Sequence, residues 1–321
     1  MFVVAITGRR SWHVGVKADA NLRRLNLIKN SALVLLGSAI FISISFFIIF
    51  HDNPARPVIG EPHDADNQGG NVRYYVNGPE GAEVVVLLAS YARSGSDFNE
   101  LVESVNHSGY RTLVLQARGI GGTDLPGYDV TLFDYADDLA VVLNQEELLT
   151  PVTLVGHAFG NRIARAFASR YPARVRSLIL LAAGDSGPPA DVRNDIFKIL
   201  VRSLPDSIRS GALHRAFFAP DNTAPNYWMS GWYPRAGLAQ GRATALTPLD
   251  QWSSGGTAPM IVVQPVQDAA APDGARKLKR LYPDRVTIVS LENAGHAILP
   301  EQPEEIARIV LEHLNSLRSE S

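Results

Sequence analysis

Short apolar runs recur along this chain, each bounded by polar or Gly- and Pro-rich stretches. Val84–Leu88 (VVVLL), 112–115 (TLVL), 152–155 (VTLV), 178–181 (LILL), 261–263 (IVV) and 286–289 (VTIV) are β-branched and continuous, with no in–out alternation. Strands of that kind are covered on both faces, as in a mainly parallel sheet. Between the runs, apolar positions fall at helical spacing. Phe98, Leu101, Val102 and Val105 share one face, Leu132, Tyr135, Leu139 and Val142 another, and Ile306, Val310, Leu314 and Leu317 a third. Strands alternating with amphipathic helices predict an α/β fold with a doubly wound, mostly parallel sheet.

Two stretches break the rhythm. Residues 31–50 (SALVLLGSAIFISISFFIIF) hold twenty positions without one charge, enough to cross about 30 Å of hydrocarbon as a helix. Arg9, Arg10, Lys17, Arg23, Arg24 and Lys29 precede that run against Asp19 alone, whereas Asp52, Glu61, Asp64 and Asp66 follow it with only Arg56. Positive charge stays on the cytoplasmic side. The pattern predicts a basic cytoplasmic segment over 1–30, one transmembrane signal anchor over 31–50, and an extracytoplasmic remainder, periplasmic in a host that has a periplasm. The run is longer than the apolar region of a cleavable signal peptide and lacks a small-x-small cleavage site after it. Residues 51–72, polar and rich in Pro, Gly and Asp, read as a linker, with folded structure from about Arg73.

The second break is 185–256, where the spacing between strands is far longer than an ordinary connection. It contains a helical piece over 192–204 and three of the four tryptophans, Trp228, Trp232 and Trp252. A helical cap over the sheet is the expectation. Its aromatics, Trp228 and Trp232 among them, either line a substrate pocket or form the cap's own small core.

Composition narrows the chemistry. The chain is 46% hydrophobic and 19% charged, as folded proteins are, and its net charge of -2 gives no electrostatic reason for a nucleic-acid partner. It has no cysteine, so disulfides, thiolate nucleophiles and Cys-based zinc sites are excluded. Apart from His157 and His296, the histidines show no metal-ligand spacing with nearby acids, and no metal or other cofactor is expected. Oligomeric state is not written in the pattern.

The stretch VTLVGHAFGN (152–161) carries the sharpest signal. An apolar strand passes through Gly-His-Ala-Phe-Gly straight into a helical segment, which is the punctuation of a nucleophile elbow, G-x-S-x-G, with Ala158 at the serine position. Four further stretches stand in register with it: LQARGIGGTD (115–124), VTLFDYADDLAVVL (130–143), VVQPVQDAAAP (262–272) and LENAGHAILPEQPEEI (291–306). With these motifs, residues 73–318 resemble the α/β-hydrolase superfamily, of the fold-1 type, with cap insertion 185–256 in its usual place.

The resemblance implies that Asp268, just past a strand, is the acid and His296, ahead of the last helix, the catalytic histidine. It implies an oxyanion hole from the Phe159 N–H, at the helix start, and the Tyr91 N–H, in the loop Ala89-Ser90-Tyr91-Ala92-Arg93. His157 packs or hydrogen-bonds beside the elbow. Alanine cannot attack a carbonyl, so three readings stand open: an engineered serine-to-alanine variant, a pseudo-hydrolase that binds a small molecule without reacting, or a His296–Asp268 pair that activates water. The leading expectation is a membrane-anchored hydrolase of small or medium apolar ester-like substrates.

Overall fold

The computed structural model describes residues 51–319, apart from Gly69, Pro126 and Tyr128, together with Lys29, Ser31, Leu35 and Leu36. The expected basic segment and anchor over 1–50 lie outside the described residues but for those four positions. Among the described residues no helix is long and apolar enough to cross a membrane.

Eight strands form one sheet: β1 Glu61–Asn67, β2 Gly70–Asn77, β3 Val84–Leu88, β4 Arg111–Leu115, β5 Val152–His157, β6 Val175–Leu181, β7 Met260–Pro265 and β8 Val286–Leu291. Their order is β1-β2-β4-β3-β5-β6-β7-β8. β1 and β2 pair antiparallel, as do β2 and β4, and every later pair is parallel.

The continuous apolar runs have a direct cause. Successive strand residues point to opposite faces, so Val84, Val86 and Leu88 enter one core while Val85 and Leu87 enter the other. The first core is covered by helices α2 (Leu132–Gln145), α3 (Phe159–Arg170) and α8 (Gly274–Leu281), and the second by α1 (Asn99–His107) and α10 (Pro303–Ser319). Helix α2 starts at a capping box in which Thr131 and Asp134 satisfy each other's backbone N–H groups.

Strands begin before Arg73, which corrects the expectation of a linker over 51–72. β1 (EPHDADN) lies at the sheet edge, pairs only with β2 and buries only Ala65. An edge strand that covers so little of the core needs no apolar pattern, and its charges discourage pairing with other chains. β2 does alternate, burying Val72, Tyr74 and Val76. Residues 51–59 are also built in: Asn99 holds the Ile59 N–H and the Pro57 carbonyl, and Arg56 makes a two-pronged ion pair with Glu100.

Between β6 and β7 stand helices α4 (Ala190–Leu200), α5 (Asp206–Phe217), α6 (Pro234–Leu246) and the single turn α7 (Leu249–Trp252). Val192, Ile199, Leu213, Phe217, Trp228 and Trp232 share a core of their own, which also takes in Ala92 and Ala297 from loops at the ends of the sheet strands. The last short helix, α9 (Ile298–Glu301), follows His296 directly.

Candidate active site

The elbow is formed by backbone geometry that only certain residues permit. β5 ends at His157, Ala158 turns the chain at φ 47° and ψ -105°, and α3 begins at Phe159. A non-glycine residue in that region costs about 1–3 kcal/mol, which its surroundings must offset. The Ala158 N–H donates to the Leu181 carbonyl at 3.0 Å, and both the backbone N–H and side-chain amide of Asn161 donate to the Ala158 carbonyl. The flanking glycines are steric necessities. A Cβ at Gly160 would sit 1.9 Å from the Leu88 carbonyl oxygen, and one at Gly156 2.6 Å from the Gly160 oxygen.

His296 and Asp268 come together as the sequence implied. His296 Nδ1 lies 3.0 and 3.1 Å from the two Asp268 carboxylate oxygens. An ionised carboxylate only accepts, so Nδ1 carries a proton, and in the neutral ring that leaves the lone pair on Nε2. Asp268 is itself aimed, since its Oδ1 accepts the Ala270 and Ala271 N–H groups at 2.9 and 2.8 Å. Burial pushes its carboxyl up, but the His296 ring and the two backbone donors outweigh that and hold it below the ordinary carboxylate range.

Three further residues support this pair. His157 is fully buried, and its Nε2–H donates to the His296 carbonyl at 2.8 Å. Burial, with the neighbouring His296, pushes its own ring down to about 4, so it stays neutral. Glu301 accepts the Gly295 N–H at 2.7 Å, the Ala219 N–H at 2.7 Å and the Asn222 amide at 2.8 Å, clamping the histidine loop to the segment after α5. Burial raises its carboxyl despite those donors. Phe217 lies beside His296, ring centroids 5.7 Å apart, and its carbonyl accepts the Ala297 N–H at 2.7 Å.

The loop after β3 is held from above. Ala92, at φ 54°, gives its N–H to Gln240 Oε1 at 2.8 Å, and its carbonyl accepts the Tyr233 N–H. The Arg93 N–H goes to the Ser90 carbonyl, so Tyr91 stands as the loop's candidate oxyanion donor. Its ring packs against Gly237 of α6 and burial lifts its phenol to about 12. The Phe159 N–H is the first of α3 and therefore lies outside the helix's own ladder. A developing oxyanion needs two such preorganised N–H groups, the role expected of Phe159 and Tyr91.

Trp228 and Trp232 are only 1% and 2% exposed. They pack edge-on to each other and against Phe217, with the Arg93 guanidinium 4.4 and 4.7 Å from their ring centres. Arg93 pairs with buried Asp97 through two hydrogen bonds of 2.8 and 2.6 Å. These tryptophans build the cap's core, and Phe217 is the cap aromatic in contact with His296. No group of residues able to hold a metal ion occurs among the described residues.

A sequence model of the alpha/beta hydrolase family matches residues 85–309. A cis-3-alkyl-4-alkyloxetan-2-one decarboxylase of Shewanella oneidensis is 31% identical over 121 residues, 37% of this chain and 37% of that enzyme. The chain spans less than half the length of several such relatives. A carbendazim hydrolyzing esterase of a Nocardioides species is 26% identical over 243 residues, 69% of this chain and 96% of that enzyme. Among solved structures, a bacterial membrane phospholipase A superposes with a TM-score of 0.65 at 18% identity, covering 94% of this chain and 99% of that one. At that identity the likeness speaks for the fold alone.

Proposed function

The chain belongs to the alpha/beta hydrolase family, and from that premise we propose that it is a membrane-anchored hydrolase of small or medium apolar ester-like substrates, in which His296 and Asp268 activate water. Residues 31–50 anchor it, with the N-terminus cytoplasmic and the catalytic domain on the other side. The observation that carries the reading is the His296–Asp268 pair, hydrogen-bonded, buried and aimed by two backbone donors beside an elbow whose backbone turn is fully formed. The hydrolases and esterases among the relatives support the reaction class.

The step balances without a covalent intermediate. His296 Nε2 takes a proton from a water molecule as its oxygen bonds to the ester carbonyl carbon. Asp268 stabilises the imidazolium that results, and the Phe159 and Tyr91 N–H groups hold the oxyanion. On collapse the carbon–oxygen bond to the leaving alcohol breaks, and His296 returns its proton to that alcohol.

Ala158 favours a second reading, a pseudo-hydrolase that binds a small ligand in the same site without turning it over. One set of variants separates the two. Under the hydrolase reading, His296→Ala abolishes hydrolysis of activated esters by the native chain and Asp268→Asn removes most of it. If the chain only binds, the parent has no activity to lose. Ala158→Ser tests the geometry common to both. It adds one oxygen at a formed elbow and is expected to raise ester hydrolysis at least about 10³-fold. No gain on that change would refute the assignment of the site.

A further inference from the structure

Charge does not balance where the elbow helix meets the cap. Arg162 stands on α3 one turn beyond Ala158, about 6 Å further along the helix axis. The residue is half-buried. Its Nη1 donates to Thr244 Oγ1 on α6 at 3.2 Å, and its Nη2 to the Ser186 carbonyl, past the end of β6, at 2.8 Å. Its Nε–H is closed off from water and has no acceptor among the described residues. Thr244 follows Gln240 by one turn, so the helix that braces the loop of Tyr91 also meets Arg162.

Arg165, three residues further along α3, is fully buried and pairs with Asp185 at 2.6 Å. Lys277 of α8 joins the same carboxylate at 3.3 Å. Among the described residues no carboxylate lies within ion-pair distance of Arg162, so three neighbouring cations share one anion. Burial first, and the charge of Arg165 second, push the Arg162 guanidinium down to about 10, which leaves it charged at neutral pH. A cation drawn out of water without a counter-ion is costly, and an incoming anion would relieve that cost. We propose that Arg162 is the receptor for a carboxylate carried by the substrate, which makes the substrate class esters with an apolar body and an acid group away from the scissile bond. This inference rests on the hydrolase reading above. A planar guanidinium with only two of its five N–H donors engaged suits a carboxylate.

Monomethyl and dimethyl esters of the dicarboxylic acids from succinic to suberic differ by one charge on a common body. Calorimetric titration of the full chain in detergent micelles reads their binding whether or not they turn over. At the best chain length the monomethyl ester is expected to bind at least about tenfold tighter than the dimethyl ester. Added salt should shrink that advantage. Arg162→Gln keeps an amide donor and removes the charge, so it should abolish the preference, whereas Arg162→Lys should retain part of it. A guanidinium that only ties the cap down would, once replaced, weaken binding of both esters alike. Equal binding of the two esters by the parent at every length overturns the proposal, as does a preference that survives in a folded Arg162→Gln protein. A charge preference in the parent, with no hydrolysis of either ester by the parent or by Ala158→Ser, supports Arg162 as the anion receptor and overturns the hydrolase reading alone.

Discussion

His157 makes a measurable demand on folding. The group sits fully buried with its Nε2–H on the His296 carbonyl, and its ring is pushed from the ordinary 6.5 down to about 4, by burial first and by His296 second. Below pH 6.5 the unfolded chain takes up a proton there that the folded chain refuses. Stability attributable to this residue is thus complete above pH 6.5 and is lost as pH falls toward about 4. At about 1.4 kcal/mol per pH unit, the whole loss is about 3 kcal/mol, and most of it has occurred by about pH 4.5. Asp268 works in the same direction but lower, since a depressed carboxyl loses its contribution only as pH falls below the ordinary carboxylate value. Glu301, with a raised carboxyl, acts in the opposite sense and stabilises as it protonates. Comparison with His157→Gln cancels both, because glutamine keeps an N–H donor for the His296 carbonyl and has nothing to titrate. Urea unfolding of the full chain in detergent micelles, followed by tryptophan fluorescence at about pH 7.5 and 4.5, should show the parent losing about 2–3 kcal/mol more than the variant between those conditions. Equal losses in the two proteins would refute the account of a buried neutral imidazole.

Two further outcomes follow from contacts at the elbow and above it. Gly160→Ala puts a carbon where the Leu88 carbonyl already stands, so α3 cannot close onto β3, and the variant should fail to give a cooperative unfolding transition. A normal melt would contradict the described packing. Gln240→Leu leaves the buried Ala92 N–H without its acceptor at a cost of about 1–3 kcal/mol. It should also lower ester hydrolysis by an Ala158→Ser protein through the Tyr91 loop, and an unchanged urea midpoint would count against that brace.

Six strands were readable from the chain: five are largely buried on both faces, which forces an unbroken apolar run, and the sixth, β8 at the other sheet edge, keeps apolar Val286, Ile288, Val289 and Leu291 around exposed Thr287 and Ser290. β1 escaped notice for the converse reason: at an edge, hydrogen bonding to β2 alone defines the strand, and its side chains are free to be polar. His296 and Asp268 could be read because each sits in a local stretch with a recognisable neighbourhood. Gln240 and Glu301 could not, and His157 was placed beside the elbow without its partner, since the residues they bond lie 148, 82 and 139 positions away and no short pattern records such a pairing. For Trp228 and Trp232, composition revealed aromatic area but not its direction. The deciding partner, Arg93, comes from a different loop and draws both rings inward.

The strained turn at residue 158 has a bearing on how this lineage can change. Its cost belongs to the backbone, and alanine and serine meet that cost almost equally, since both carry one Cβ and differ by a single oxygen. Folding therefore sets no barrier between them, and a single base change in the codon converts one into the other. A population could drift across that position in either direction while the glycines beside it, hemmed in by carbonyl oxygens, stay fixed. The scaffold would then hold gain and loss of a nucleophile as adjacent genotypes rather than distant ones.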